Sequence, residues 1–213
     1  MMDGRSMHAI QRCGRAVFRI VFGLRISVAG RIPRTGGLLI ASNHISDMDP
    51  PVLGSCIPRT VRFMAKSELF RGRALSWMFT QLGAFPVNRR GVDRTALRTA
   101  ESILGDGGAL LIFPEGTRSM DGRPLPPKPG VGLLASKMGV PVLPAFLHGT
   151  DRPLSALARR PRFSVCLGRL IFPAEMEEAG RSGGTSAMAG LVMDRIVETG
   201  AEAGLIRAER SAN

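Results

Sequence analysis

The chain contains no tyrosine and a single tryptophan, and only three of its 29 basic residues are lysines: Lys66, Lys128 and Lys137. With so few stacking residues, no basic region is interleaved with aromatics. That stands against single-stranded nucleic-acid binding, and no nucleic-acid partner is expected. Cysteine is scarce too. Cys13, Cys56 and Cys166 are odd in number, far apart and never in a Cys-x-x-Cys spacing. This excludes a disulfide framework or a structural zinc site and fits a reducing compartment. The three cysteines read as small core fillers. The three histidines, His8, His44 and His148, are scattered, so no metal is expected. No run of ~18 uncharged apolar residues occurs, so no membrane-spanning helix is expected. The apolar run "AVFRIVFGL" is interrupted by Arg19 and lacks a small-residue cleavage site after it, so no signal peptide is expected.

What is present is a chain of 213 residues with 44% hydrophobic content, enough to bury the core of one domain. Its net charge of +12 is nearly all arginine and favours anionic partners. Residues 7 to 24 read as a helix. At ~100° per residue, Ile10, Cys13, Val17, Val21 and Leu24 share one side, and Arg5, His8, Arg12, Arg15 and Arg19 the other. A basic amphipathic helix of this kind lies in a membrane interface, or packs as a surface helix on the domain core; its own periodicity serves both. Residues 1–29 are set apart as this basic amphipathic segment, with both roles open from its periodicity, and residues 30–213 as the main domain.

From there on, short apolar runs alternate with helical segments. "GGLLIASN", "TVRFMAK", "GAFPV", "ALLIFPEG", "VPVLPAFLHG" and "RFSVCLGRLIF" read as strands. Residues 67–83 read as one helix capped by Ser67, residues 93–108 as a helix with an Asp start and a Gly stop, and "VGLLASKMG" as another. "RSGGTSAMAG" reads as a loop, with a last helix from Thr185 to about Ala203. Strands apolar along their whole length argue for an α/β fold, a mixed, largely parallel sheet covered by helices on both faces. Ligands of such sheets gather at the carboxyl ends of strands.

Four stretches at those ends carry chemistry. "SNHISDMDP" holds His44 and Asp49. With three His and eight Asp in the chain, a chance His-x4-Asp has odds of roughly one in nine, so this motif alone decides little. On one continuous helix the two side chains would point about 140° apart, so pairing requires a bend. Pro50 disfavours helical geometry at Asp49, and Pro50 and Pro51 suit the first turn of a new helix with Asp49 as its N-cap. His44 and Asp49 then fold toward each other; Asp47 is a rival partner by position. In "GAFPVNRR", Arg89 follows a strand end, where a guanidinium can hold a phosphate. In "FPEGTRS", Glu115, Thr117 and Arg118 cluster around the turn at Gly116 and offer an acceptor, a hydroxyl and a cation. "VPVLPAFLHG" reads mostly as architecture, and as a wall for an acyl chain.

Together and in this order, "NHISDMD", "GAFPVNR", "FPEGTRS" and "VPVLPA" resemble the four successive motifs of the glycerolipid acyltransferase family, whose best-known members are 1-acylglycerol-3-phosphate O-acyltransferases. The resemblance covers roughly residues 30 to 175. It implies an α/β fold and transfer of a fatty acyl group from acyl-CoA or acyl carrier protein to the hydroxyl of a lysophospholipid. It implies that His44 is the general base and Asp49 its orienting partner. It also implies that Arg89, Glu115, Gly116, Thr117 and Arg118 bind the glycerol phosphate, with Lys66 of "FMAKSEL" adding to the phosphate site. Pro141 matches the fourth motif's proline, and Asn88 stands where many relatives have Asp. No cofactor is expected beyond the thioester co-substrate. The resemblance turns residues 1–29 toward the membrane-associating reading, because a lysophospholipid resides in the bilayer. The expected setting is the cytoplasmic side of the cell membrane, peripheral or monotopic, on a phospholipid surface. The alternatives are another lysolipid acceptor and a non-catalytic module that holds anionic lipid.

Overall fold

The computed structural model describes residues 4–88, 93–158 and 162–206. In chain order the elements are α1 (Gly4–Phe22), β1 (Arg25–Val28), β2 (Leu38–Ser42), α2 (Asp49–Cys56), β3 (Val61–Lys66), α3 (Arg73–Gln81), β4 (Ala84–Val87), α4 (Arg94–Gly105), β5 (Ala109–Ile112), α5 (Gly130–Met138), β6 (Val142–His148), α6 (Pro153–Leu157), β7 (Ser164–Leu167) and α7 (Pro173–Glu202). Seven strands form one sheet in the order β1-β7-β6-β2-β5-β3-β4. Every pair is parallel except β6 with β7. The sheet takes in residues 25–28, on the N-terminal side of the expected boundary at residue 30.

β2 sits near the centre, in register with β5 (Ile40 beside Leu111) and with β6 (Ile40 beside Leu143). Its side chains alternate between two cores, as the two-residue period of a strand demands. Leu38 and Ile40 join Leu53, Phe63, Leu111 and Phe163 on one face. Leu39 and Ala41 join Leu110, Leu134, Phe146, Val192 and Ile196 on the other. Leu38, Leu39 and Ile40 are completely buried, worth roughly 1.5–3 kcal/mol each against exposure.

Three expectations change. Residues 67–83 are not one helix. A 3-10 turn covers Ser67–Phe70, Gly72 is extended (φ −103°, ψ 137°), and α3 starts after it. Ser67 caps no helix; its hydroxyl donates to Glu68. Residues 181–190 are not a loop, because α7 runs through them with a break at Gly183 and Gly184, the latter in the left-handed region (φ +63°). Helix thus also covers Pro173 to Ser182, which the Gly pair had hidden. Of the cysteines, Cys56 and Cys166 are buried, whereas Cys13 is exposed. Burial pushes the Cys56 thiol up to about 11, which keeps it protonated and unreactive.

The N-terminal helix docks in an unforeseen orientation. Met7 and Gln11 are buried, and the Gln11 amide donates to the carbonyls of Gly54 and Arg59. Arg15 donates to the Ser55 carbonyl. Ile10, Val17, Ile20 and Val21 stay exposed, Val17 at 52% and Ile20 at 70%. No helix among the described residues is long and apolar enough to cross a membrane.

Candidate active site

The loops after β2, β3 and β5 meet at the carboxyl edge of the parallel strands. β2 ends at Ser42 and hands the chain to Asn43 and His44, both buried. The Asn43 side chain donates to the Leu147 carbonyl at 2.9 Å and accepts from the Leu147 amide at 2.7 Å. Residues 45–48 then bend, and α2 opens with Asp49, Pro50 and Pro51 in its first turn. The bend brings His44 Nδ1 within 2.8 Å of Asp49 Oδ2. The rival drops out: Asp47 is exposed and pairs with Arg118 at 2.6 Å.

Asp49 does not cap α2, contrary to the reading from the prolines. Its carboxylate turns back over the bend instead. Oδ2 also accepts from the amides of Ile45 (2.7 Å) and Ser46 (2.8 Å), and Oδ1 from the Thr150 hydroxyl at 2.5 Å. Asp49 is fully buried, and an ionised carboxylate there needs such donors. With Nδ1 donating to Asp49, Nε2 is left to take a proton.

The segment after β5 clamps His44 from the other side. Glu115 Oε1 accepts from the His44 amide at 2.9 Å, and Oε2 from the Leu125 amide at 3.1 Å. The His44 carbonyl accepts from the Ser119 amide at 2.8 Å. Phe113 stacks on the imidazole with ring centres 3.9 Å apart. Burial pushes the Glu115 carboxyl above its ordinary range, opposed by the two amides. Glu115 is 2% exposed; one oxygen holds the segment that carries His44, and the other holds the Leu125 end of its own loop. Gly116 has φ +67°, and a Cβ there would lie 2.9 Å from the Lys128 side chain, which crosses over it. The left-handed φ favours glycine, whereas the flexible end of Lys128 could move aside for a Cβ. Thr117 is exposed beside it.

A pocket of about 550 Å³ leads to this centre. Ile10 and Phe18 of α1, Gly54 of α2, Val61 and Phe63 of β3, and Leu69, Phe79 and Leu82 supply a mainly apolar wall. His44, Asp47, Lys66 and Arg118 also line it. The structure thus brings His44, Asp49, Lys66, Glu115, Gly116 and Arg118 to one place. Arg89 lies outside the described residues. β6 is not a wall: it is buried between β2 and β7 and lines no part of this pocket.

Two contributors were not anticipated. Phe113 stands in a quoted motif, where an aromatic at a strand end has the plain reading of core. Thr150 is 101 residues from Asp49 in sequence, and no local spacing announces such a contact. Among the described residues no cluster of His, Cys, Asp and Glu is suited to a metal.

The chain is similar to known proteins in sequence and in fold. The chain is 27% identical to the 1-acyl-sn-glycerol-3-phosphate acyltransferase of Bacillus subtilis, over 83% of this chain and 87% of that protein. It is 32% identical to the protein of the same name from Borreliella burgdorferi, over 61% of this chain and 53% of that one. The crystal structure of the 1-acyl-sn-glycerophosphate (LPA) acyltransferase of Thermotoga maritima superposes with a TM-score of 0.74 at 27% identity, covering 99% of this chain and 86% of that one. The family model described as Acyltransferase matches residues 25–148, more than half of the chain. That match runs from the first residue of β1 to the last of β6 and takes in both segments that grip His44, so the chain belongs to the acyltransferase family.

Proposed function

We propose that the protein moves a fatty acyl group from an acyl thioester, acyl-CoA or acyl carrier protein, to the free hydroxyl of 1-acylglycerol-3-phosphate, giving phosphatidic acid. One observation carries this reading: a buried His44–Asp49 pair at 2.8 Å stands at the end of an apolar pocket edged by Lys66 and Arg118. The names of the matched relatives support the choice of acceptor.

His44 Nε2 takes the proton of the acceptor hydroxyl while that oxygen attacks the thioester carbonyl carbon. Asp49 holds the tautomer and stabilises the imidazolium that forms. The tetrahedral intermediate collapses, the C–S bond breaks, and the thiolate leaves with the proton returned by His44. Lys66 and Arg118 hold the acceptor phosphate, with Arg89 as a further cation. Arg118 is engaged with Asp47 in an exposed ion pair worth at most about 1 kcal/mol, so a dianionic phosphate displaces Asp47 at little cost. Glu115, Gly116 and Thr117 shape that loop, Glu115 by holding the His44 amide.

Features of α1 and α3 support a membrane setting. Both helices wall the pocket, and both leave apolar side chains exposed, Val17 and Ile20 on one and Leu75 and Trp77 on the other. With Arg12 and Arg19 exposed on α1, this surface fits an anionic bilayer interface. The protein then acts as a peripheral or monotopic enzyme on the cytoplasmic side of the cell membrane, where its lysophospholipid resides.

The test is acceptor-dependent thiol release from palmitoyl-CoA in mixed micelles with 1-acylglycerol-3-phosphate. The reading requires release by the native protein and its loss in a folded His44→Ala variant. Undiminished release by that variant removes His44 from the chemistry. Release only with a different lysolipid or only with carrier-protein donor reassigns the substrate. Vesicle binding without release under any donor makes the protein a lipid-holding module.

A further inference from the structure

One buried hydroxyl beside the catalytic pair has no part in the chemistry above. Thr150 lies two residues beyond the end of β6 and beyond the residues matched to the family. It is fully buried, and its Oγ1 donates to Asp49 Oδ1 at 2.5 Å. We propose that Thr150 is a positioning residue: its hydroxyl fixes the rotation of the Asp49 carboxylate that presents Oδ2 to His44 Nδ1. This rests on the reading of His44 as general base.

The argument is geometric. A carboxylate turns about its Cβ–Cγ bond, and each orientation offers different oxygens to the same donors. Three donors, the His44 imidazole and the amides of Ile45 and Ser46, all converge on Oδ2. Nothing in that trio holds Oδ1. Without Thr150 a buried anionic oxygen loses its partner, which favours rotation toward the shared donors. A hydroxyl facing an ionised carboxylate can act only as donor. Its short contact is that of a charge-assisted O–H···O⁻ bond. The opposite end of the same loop is tied to the same strand, through the paired Asn43–Leu147 hydrogen bonds. β6 and the chain leaving it therefore hold the catalytic segment at both ends, β6 through Leu147 on Asn43 and the exit through Thr150 on Asp49.

The experiment compares Thr150→Val, which keeps the shape and removes the hydroxyl, with Thr150→Ser, which keeps the hydroxyl. Both are assayed as full-length protein beside the native enzyme and His44→Ala, with palmitoyl-CoA and 1-acylglycerol-3-phosphate in mixed micelles. Thr150→Val is expected to lower kcat roughly ten- to a hundredfold at near-constant KM, the scale of a displaced catalytic group. Thr150→Ser is expected to restore most of that loss. In ¹⁵N-histidine spectra, the low-field Nδ1 proton of His44 persists in Thr150→Ser and shifts or vanishes in Thr150→Val. A role in packing alone moves neither the kcat–KM split nor that proton. Native kcat in folded Thr150→Val, or equal impairment of the two variants, overturns the proposal. If Thr150→Val does not fold, Thr150→Cys, a much weaker donor, takes its place with the same expectations. Activity retained in His44→Ala overturns the general-base reading instead. Loss there with native activity in Thr150→Val overturns the positioning role alone.

Discussion

Two long helices cover opposite faces of the sheet, and they use their apolar residues in opposite ways. α7 turns Ala189, Val192, Met193 and Ile196 into the core shared with β6 and α5. α1 turns Gln11 toward α2 and leaves Val17 and Ile20 in solvent. The difference is one of partner. The face under α7 is closed by protein on protein. The face under α1 is walled by α1, α2, β3 and α3 around a pocket, and Val17 and Ile20 on the outside of α1 stay more than half exposed. A helical stripe tells that an apolar partner exists, and only the fold tells whether that partner is the protein itself.

The contrast is broken most forcefully on the closed face. Ile196→Ala empties volume at a completely buried position and is expected to cost about 2–5 kcal/mol, read as a lowered urea midpoint. The matching change on the open face, Val17→Asp with Ile20→Asp, should leave the fold within about 0.5 kcal/mol per exposed site. Under the proposed membrane setting, its effect is expected in vesicle binding. Binding to vesicles containing anionic phospholipid should drop roughly a hundredfold, since two inserted apolar side chains become charged. A co-sedimentation series with equal melting temperatures checks both halves. Unchanged vesicle binding would make the exposed stripe of α1 irrelevant to the bilayer.

The same contrast marks where the sequence was legible. Leu38 to Ser42 announced a buried strand because every position is apolar or small, and the strand is buried at every position. His44 and Asp49 were placed together because two prolines force a bend, although Asp49 serves that bend rather than the helix after it. Gly72 and Gly184 were harder. A glycine inside a helical pattern reads as tolerated or as a stop, and its actual φ is set by tertiary packing. The first divides residues 67–83; the second only breaks α7. Glu115 read as a ligand for substrate hydroxyls because a carboxylate beside a strand end has that chemistry. Its burial and its two amide donors belong to three-dimensional contacts 71 and 10 residues apart. Thr150 left no signal at all, for the same reason on a longer span.

Two glycines sharpen the comparison at a finer scale. Gly132 of α5 faces α7 so closely that a Cβ would sit 2.7 Å from the Thr185 carbonyl oxygen and 2.7 Å from Met188 Cβ. Backbone cannot yield there as a flexible side chain can. Gly132→Ala is therefore expected to destabilise by about 1–3 kcal/mol, despite the better helix propensity of alanine. Gly14 of α1 faces α2, where a Cβ would meet Ser55 Cβ at 3.8 Å, an ordinary contact. There alanine brings its propensity without a clash, and Gly14→Ala is expected to stabilise by about 0.5–1 kcal/mol. Thermal melts of the two variants should thus move in opposite directions. If both fall, α1 is seated on α2 as tightly as α7 on α5, and the open face is open only in its side chains. If Gly14→Ala rises while transfer activity holds, α1 has slack against α2 beside a pocket that it helps to wall. That slack would let the helix adjust as lipid enters without disturbing the bend that joins His44 to Asp49.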